Sequence, residues 1–238
     1  MKTRAIIFDK DGTLIDFDSF WLTISYRAME NILAAVKQKL DLTEEILLAL
    51  GVKNKVTDIN GVLCKGTYAQ MGQTIYKVMK KYGCDITEEE AIRLTIDAYH
   101  RNLGAGIVKP TCENIFDVLS ELKEHGIKLA VVTTDDAFVT KKCLEMLGID
   151  TLFDVVYTDD GKYPAKPDAY CINDFCEKEG LSKSEVVMVG DTLTDVCFAR
   201  NGGIKVIGVA KSDDNRSILE KEADVVITDI SYIFEVIE

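Results

Sequence analysis

Ala5-Ile6-Ile7-Phe8-Asp9-Lys10-Asp11-Gly12-Thr13 is the stretch that decides the fold. The four apolar residues read as a short buried strand, and two carboxylates follow at its carboxyl end. Open α/β sheets place their ligand sites on that edge. Gly12-Thr13 then permits a tight turn away from the sheet. Like charges held close together repel, so a carboxylate pair needs a reason to exist. A divalent cation is one reason, and a nucleophile beside a general acid is another. An ordinary acidic turn ending a strand is the third.

Five further strand patterns lie downstream: Lys128–Thr133, Phe153–Tyr157, Val186–Gly190, Ile204–Val209 and Ala223–Ile227. Helical periodicity falls between them, at about 112–125, 136–147, 168–179, 193–202 and 214–222. Near-continuous Val/Ile runs alternating with helices predict an α/β fold, a doubly wound and mostly parallel sheet covered on both faces. Residues 17–104 differ, showing helical patterns only, at 17–40, 43–50, 68–82 and 87–103. Thr87 and Glu90 have the spacing of a capping box. The expected organisation is a core domain of residues 1–16 and 105–238, with an all-helical cap, 17–104, inserted after the first strand. Two glycines and a proline in Leu103–Pro110 suit the return linker.

Composition narrows the function. With 238 residues, 47% of them hydrophobic and 29% charged, the chain can bury a full core. The formal net charge of −12 argues against nucleic acid or an anionic membrane surface as partner. Seven scattered cysteines without a Cys-x-x-Cys pair read as reduced thiols, and two histidines without a Cys/His cluster make zinc improbable. The apolar run after Met1-Lys2-Thr3-Arg4 is too short for a signal-peptide core, and no segment approaches a membrane span. A cytoplasmic protein, monomer or homodimer, is expected.

Three more features share the edge on which Asp9 lies. Thr133 and Thr134 end a strand, where a hydroxyl can either donate to a phosphate or cap the following helix. Lys166, in Pro164-Ala165-Lys166-Pro167-Asp168, can point into a cleft or lie solvated on the surface. Gly190-Asp191-Thr192-Leu193-Thr194-Asp195 places two acids at a strand end and helix start, where the helix dipole also favours acids. Together, carboxylates at 9, 11, 191 and 195, a hydroxyl at 133 and an amine at 166 form a hard-oxygen metal site beside an anion site.

The ordered set Asp9-x-Asp11-Gly-Thr, Thr133, Lys166 and Gly190-Asp191-x-x-x-Asp195 resembles the haloacid dehalogenase-like (HAD) hydrolase superfamily. The helical insertion is similar to that family's type 1 cap, and Gly180–Gly203 resembles the phosphoglycolate phosphatase-like branch. The resemblance implies a Rossmannoid core and a magnesium-dependent phosphatase working through an aspartyl-phosphate. Asp9 would be the nucleophile and Asp11 the general acid, then base. Mg2+ would be held by Asp9, the Asp11 backbone carbonyl and Asp191, with Asp195 in an outer position. Thr133, Thr134 and Lys166 would bind the phosphoryl group, with Lys162 a competitor for Lys166. An acid at position 11 excludes the dehalogenase branch.

The implied substrate is a small phosphorylated metabolite such as phosphoglycolate, a sugar phosphate or a nucleoside monophosphate. Specificity is expected in the cap loop Asn60–Thr67, chiefly at Lys65, Gly66 and Thr67, although a solvated loop lysine reads equally well. Phe17, Trp21 and Tyr26 can line a cleft or pack in the cap core. The alternatives are a phosphomutase of the β-phosphoglucomutase type and a non-catalytic phosphometabolite-binding protein.

Overall fold

Six strands form one all-parallel sheet in the computed structural model, which describes residues 3–58 and 61–237. In chain order the elements begin with β1 (Ala5–Phe8), α1 (Phe17–Ala35), α2 (Thr43–Leu50), β2 (Val52–Lys53) and β3 (Val56–Thr57). They continue with α3 (Val62–Lys65), α4 (Tyr68–Lys81), α5 (Glu88–Asn102), α6 (Ile115–Glu124), β4 (Lys128–Val132) and α7 (Ala137–Leu147). The last are β5 (Val155–Tyr157), α8 (Tyr170–Glu179), β6 (Val186–Gly190), α9 (Leu193–Gly202), β7 (Lys205–Val209), α10 (Asp213–Leu219) and β8 (Val225–Ile227). The sheet order is β5-β4-β1-β6-β7-β8. β1 is therefore central, and the order reverses across it, which is where doubly wound sheets bind ligands.

The chain divides into two compact units, Met1–Asp16 with Val108–Glu238, and Phe17–Ile107. In the first unit the four inner strands β4, β1, β6 and β7 are buried on both faces, as their unbroken apolar runs require, while the edge strands β5 and β8 are partly exposed. Ala5, Ile7, Ala130, Val132, Val186, Met188 and Val206 share a core with Ile172 and Phe175 of α8 and Phe198 and Ala199 of α9. Ile6, Phe8, Leu129, Val131 and Val189 alternate with that set and are also fully buried. Each such side chain contributes about 1.5–3 kcal/mol, which makes the sheet a rigid platform for whatever its edge presents.

The second unit is built on α1, α2, α4 and α5. The expectation of helices alone is corrected here: β2 and β3 pair as a short antiparallel hairpin, Val52 with Thr57 and Lys53 with Val56. Asn54 and Lys55 both take positive φ in its turn, as a two-residue hairpin loop demands. Strands of two residues leave no periodicity to read. The expected helix 17–40 stops at Ala35, because Lys37 turns the chain with φ of 52°. Thr87 does accept from the Glu90 N–H, at 3.1 Å, and starts α5. Residues 105–107 belong to this unit because Gly106 packs on Phe20 and the Ile107 carbonyl accepts from Ser19 Oγ at 3.1 Å. Among the described residues, no helix is long and apolar enough to cross a membrane.

Candidate active site

Register brings three chain segments to one point. Phe8 is aligned with Val131 of β4 and with Val189 of β6. Asp9, Thr133 and Asp191 therefore leave neighbouring strands at the same sheet edge. The Asp9 N–H donates to the Val189 carbonyl at 2.9 Å, extending the ladder by one residue. The chain then folds tightly, with the Lys10 carbonyl accepting from Leu14 N–H at 2.9 Å and Ile15 N–H at 3.0 Å. Thr111 Oγ1 donates to the Thr13 carbonyl at 2.5 Å and holds the loop from behind.

Lys166 reaches this edge from the loop between β5 and α8. Its Nζ donates to Asp9 Oδ1 at 2.5 Å and to Asp195 Oδ1 at 2.7 Å. The side chain is only 3% exposed, so the contact is desolvated. Burial opposes the ammonium form, yet Asp195 and Asp9 outweigh it and hold the lysine pKa above its ordinary value. Lys162, the competing lysine, is exposed and lies over the Tyr163 ring, 5.1 Å from its centroid.

Asp195 serves two ends at once. It is the N3 residue of α9, with Thr192 as N-cap. Its Oδ2 accepts from the Thr192 N–H at 3.1 Å and from the Thr192 hydroxyl at 2.7 Å, while Oδ1 takes Lys166. The capping role and the site role are carried by different oxygens of one carboxylate. Asp191 receives the Thr13 hydroxyl on Oδ1 at 3.3 Å, and its backbone carbonyl accepts from Asn215 Nδ2 at 2.9 Å.

Asp9, Asp191 and Asp195 each bring a carboxylate oxygen within 4.8 Å of one another. Burial raises the Asp9 carboxyl to about 7, with Lys166 opposing and the charges of Asp195 and Asp11 adding. Burial, then the charges of Asp9 and Asp195, hold Asp191 well above the usual carboxylate range. Three crowded oxygen donors of this kind fit a hard divalent cation, which would relieve their repulsion. The glycines around them are dictated by the same crowding. A Cβ on Gly190 would lie 2.4 Å from Asp195 Cβ and Cγ, so the strand end must be bare for Asp195 to turn in.

Thr133 is buried, with its N–H donating to the Tyr157 carbonyl at 3.1 Å and its hydroxyl accepting from the Asp135 N–H at 3.2 Å. Thr134 is exposed. Asp11 is drawn sideways rather than into the carboxylate trio: its Oδ2 lies 2.6 Å from the buried Lys10 Nζ. Lys10, Asp135, Thr13 and Asn215 are the residues that sequence reasoning passed over. Lys10 and Thr13 stood inside the opening motif, yet their role depends on partners more than a hundred residues away.

In the second unit, Asn60 lies outside the described residues. Val62–Lys65 is a turn of helix rather than open loop, and Thr67 caps α4, its hydroxyl accepting from the Gln70 N–H at 3.3 Å. Lys65 is exposed and, with Gly66, Gln70 and Lys77, lines a groove of about 370 Å³. Trp21 is buried against Phe20 and Tyr99, and Tyr26 donates to Glu44 at 3.1 Å.

Residues 3–203 match the family model for haloacid dehalogenase-like hydrolases. The chain belongs to that family. Among its HAD relatives is the pyrophosphatase PpaX of Bacillus velezensis, 39% identical over 88% of this chain and 84% of that protein. The phosphoglycolate phosphatase of Vibrio cholerae is 27% identical over 98% of this chain and 96% of that one. A solved structure from Haemophilus somnus, described as a predicted phosphoglycolate phosphatase, superposes with a TM-score of 0.74 at 23% identity, covering 99% of this chain and 98% of that one. That likeness extends the shared fold to nearly the whole chain.

Proposed function

We propose that this HAD hydrolase is a magnesium-dependent phosphatase that cleaves a small phosphomonoester through an aspartyl-phosphate on Asp9. The observation that carries the reading is the contact of Lys166 with both Asp9 and Asp195, beside the carboxylate trio of Asp9, Asp191 and Asp195. Asp9 Oδ1 is oriented by the ammonium, which leaves the carboxylate fixed for attack on phosphorus. Both oxygens of Asp195 are engaged by Lys166 and Thr192, so this residue supports the centre while Asp9 and Asp191 supply the ligand oxygens. When bound, Mg2+ would offset the carboxylate repulsion and the charge on the transferring phosphoryl oxygens.

Asp11 is the acid in this account. It protonates the leaving oxygen as the phosphoryl group moves to Asp9, then takes a proton from the water that hydrolyses the acyl phosphate. Thr133 has its hydroxyl oxygen occupied by the Asp135 N–H, so its own proton is available for a phosphoryl oxygen. Lys166 neutralises the same group. Thr134, being exposed, would contribute only at the rim. Lys65, Gly66 and Thr67 of the helical insertion are assigned to substrate choice, with Lys65 the residue to meet a substrate carboxylate.

The relatives name two substrate types, phosphoglycolate and pyrophosphate. Both are small anions with a terminal phosphoryl group, which fits one nucleophile and one cation. A panel of phosphorylated metabolites including phosphoglycolate, hexose phosphates, nucleoside monophosphates and pyrophosphate, assayed with magnesium and with EDTA, tests the reading. Phosphate release with magnesium and none in EDTA is expected. Turnover unaffected by EDTA contradicts the metal assignment, and isomerised sugar phosphate without phosphate release would favour the mutase.

A further inference from the structure

Lys10 sits between the two aspartates of the opening motif and is 0% exposed. Lysines are almost never found so deep unless paired. Its Nζ lies 2.6 Å from Asp11 Oδ2 and 2.8 Å from Asp135 Oδ2. The ammonium is thus held between two carboxylates, one from the β1 edge and one from the loop after β4.

Both supports of this bridge are fixed. The Asp135 N–H donates to Thr133 Oγ1 at 3.2 Å, and its carbonyl accepts from the Asp159 N–H at 2.8 Å. The Lys10 carbonyl takes two N–H groups, from Leu14 and Ile15. Asp11, by contrast, follows in a turn with Gly12, whose φ is 78°. Its side chain is the part of the motif that needs external orientation. A carboxylate that must deliver a proton has to stand within hydrogen-bond reach of its target, and an error of about 1 Å costs on the order of 10²-fold.

We propose that Lys10 and Asp135 are positioning residues for Asp11: the ammonium, anchored by Asp135, holds one oxygen of the Asp11 carboxylate and so aims the other at the leaving group. This rests on the acid role given to Asp11 above. In the step concerned, an Asp9 oxygen bonds to phosphorus while the ester P–O bond breaks. The electron pair of that bond passes to the leaving oxygen, and the proton of Asp11 moves to it. Asp11 is left as a carboxylate facing the Lys10 ammonium.

The test uses the full chain with magnesium and two aryl phosphates that differ in leaving group. Phenyl phosphate needs a proton delivered to its phenolate, whereas 2,4-dinitrophenyl phosphate releases a stable anion. The quantity read is kcat/KM, which covers the steps up to departure of the leaving group. For Lys10→Met and Asp135→Asn, a fall of about 10²-fold on phenyl phosphate is expected, with a change under about threefold on the dinitrophenyl ester. Loss of packing alone would lower both substrates together, and equal losses overturn the proposal. Asp135→Asn keeps the side chain's size and leaves Lys10 in place, so it is the second variant, read with its own thermal melt, should Lys10→Met fail to melt cooperatively. Asp11→Asn serves as reference. If it discriminates between the substrates and the other two variants do not, the positioning role falls and the acid role stands. If Asp11→Asn itself does not discriminate, both fall.

Discussion

Gly12 and Asp191 stand in each other's space: a Cβ built on Gly12 would lie 2.0 Å from Asp191 Oδ2. The glycine also has φ of 78°, a conformation in which side chains are strained. The turn after Asp9 and the carboxylate of Asp191, just beyond β6, are therefore shaped as one unit. Gly12→Ala is expected to displace the Asp191 carboxylate, lower the melting temperature by several degrees and weaken magnesium activation at least about tenfold. A magnesium titration of activity, run beside a thermal melt, reads both. Wild-type values in each would contradict the close-packed arrangement.

Lys166→Met removes the buried cation that Asp9 and Asp195 share beside Asp191. Breaking a buried ion pair costs about 3–5 kcal/mol, because the remaining charges lose compensation. Activity should fall by about 10²–10³-fold. Melting temperature should fall too, and saturating magnesium should recover part of that loss by supplying positive charge to the same oxygens. A stable, active Lys166→Met variant would argue against the site.

Lys162→Ala provides the contrast. Lys162 is exposed and its ammonium lies over the Tyr163 ring. Its removal is expected to change kcat by less than about twofold, since exposed charges contribute little. A loss comparable to that of Lys166→Met would transfer the phosphoryl-binding role to Lys162.

Stability should depend on pH in a direction set by burial. Asp9 has a folded pKa of about 7 against an ordinary value of 3.8. Between those values the folded metal-free protein binds more protons than the unfolded chain, so stability falls as pH rises. The loss is complete above pH 7. A divalent cation at the trio favours the ionised acids, so the rise in melting temperature with saturating magnesium should be larger at pH 8 than at pH 5. Differential scanning calorimetry at both values checks this, and equal increments would contradict it.

How much of this was legible in the sequence follows from where the information lies. Runs such as Ala5–Phe8 and Val186–Val189 announce buried parallel strands because both faces need apolar side chains. Once those strands are aligned, the residue just past each one is at the ligand edge, so Asp9, Thr133 and Asp191 can be placed from pattern alone. Lys166 could be singled out over Lys162 only by its neighbours in sequence; the contact with Asp9 and Asp195 spans 157 and 29 residues. The Lys10–Asp135 ion pair had no local signal, since each residue reads as an ordinary surface charge until the strands are paired. The β2–β3 hairpin escaped because two residues show no alternation. Thr67 looked like a loop residue and is a helix cap, a role its hydroxyl fills equally well.

The most direct measurement concerns Asp9. The enzyme is mixed with magnesium and its best substrate, quenched in acid during turnover and treated with borohydride, which reduces an acyl phosphate to an alcohol. Peptide mass spectrometry then locates the modified residue. The account predicts conversion of Asp9 alone to homoserine, dependent on substrate and absent in Asp9→Asn. Steady turnover with Asp9 unmodified, or with the label on another carboxylate, would contradict it.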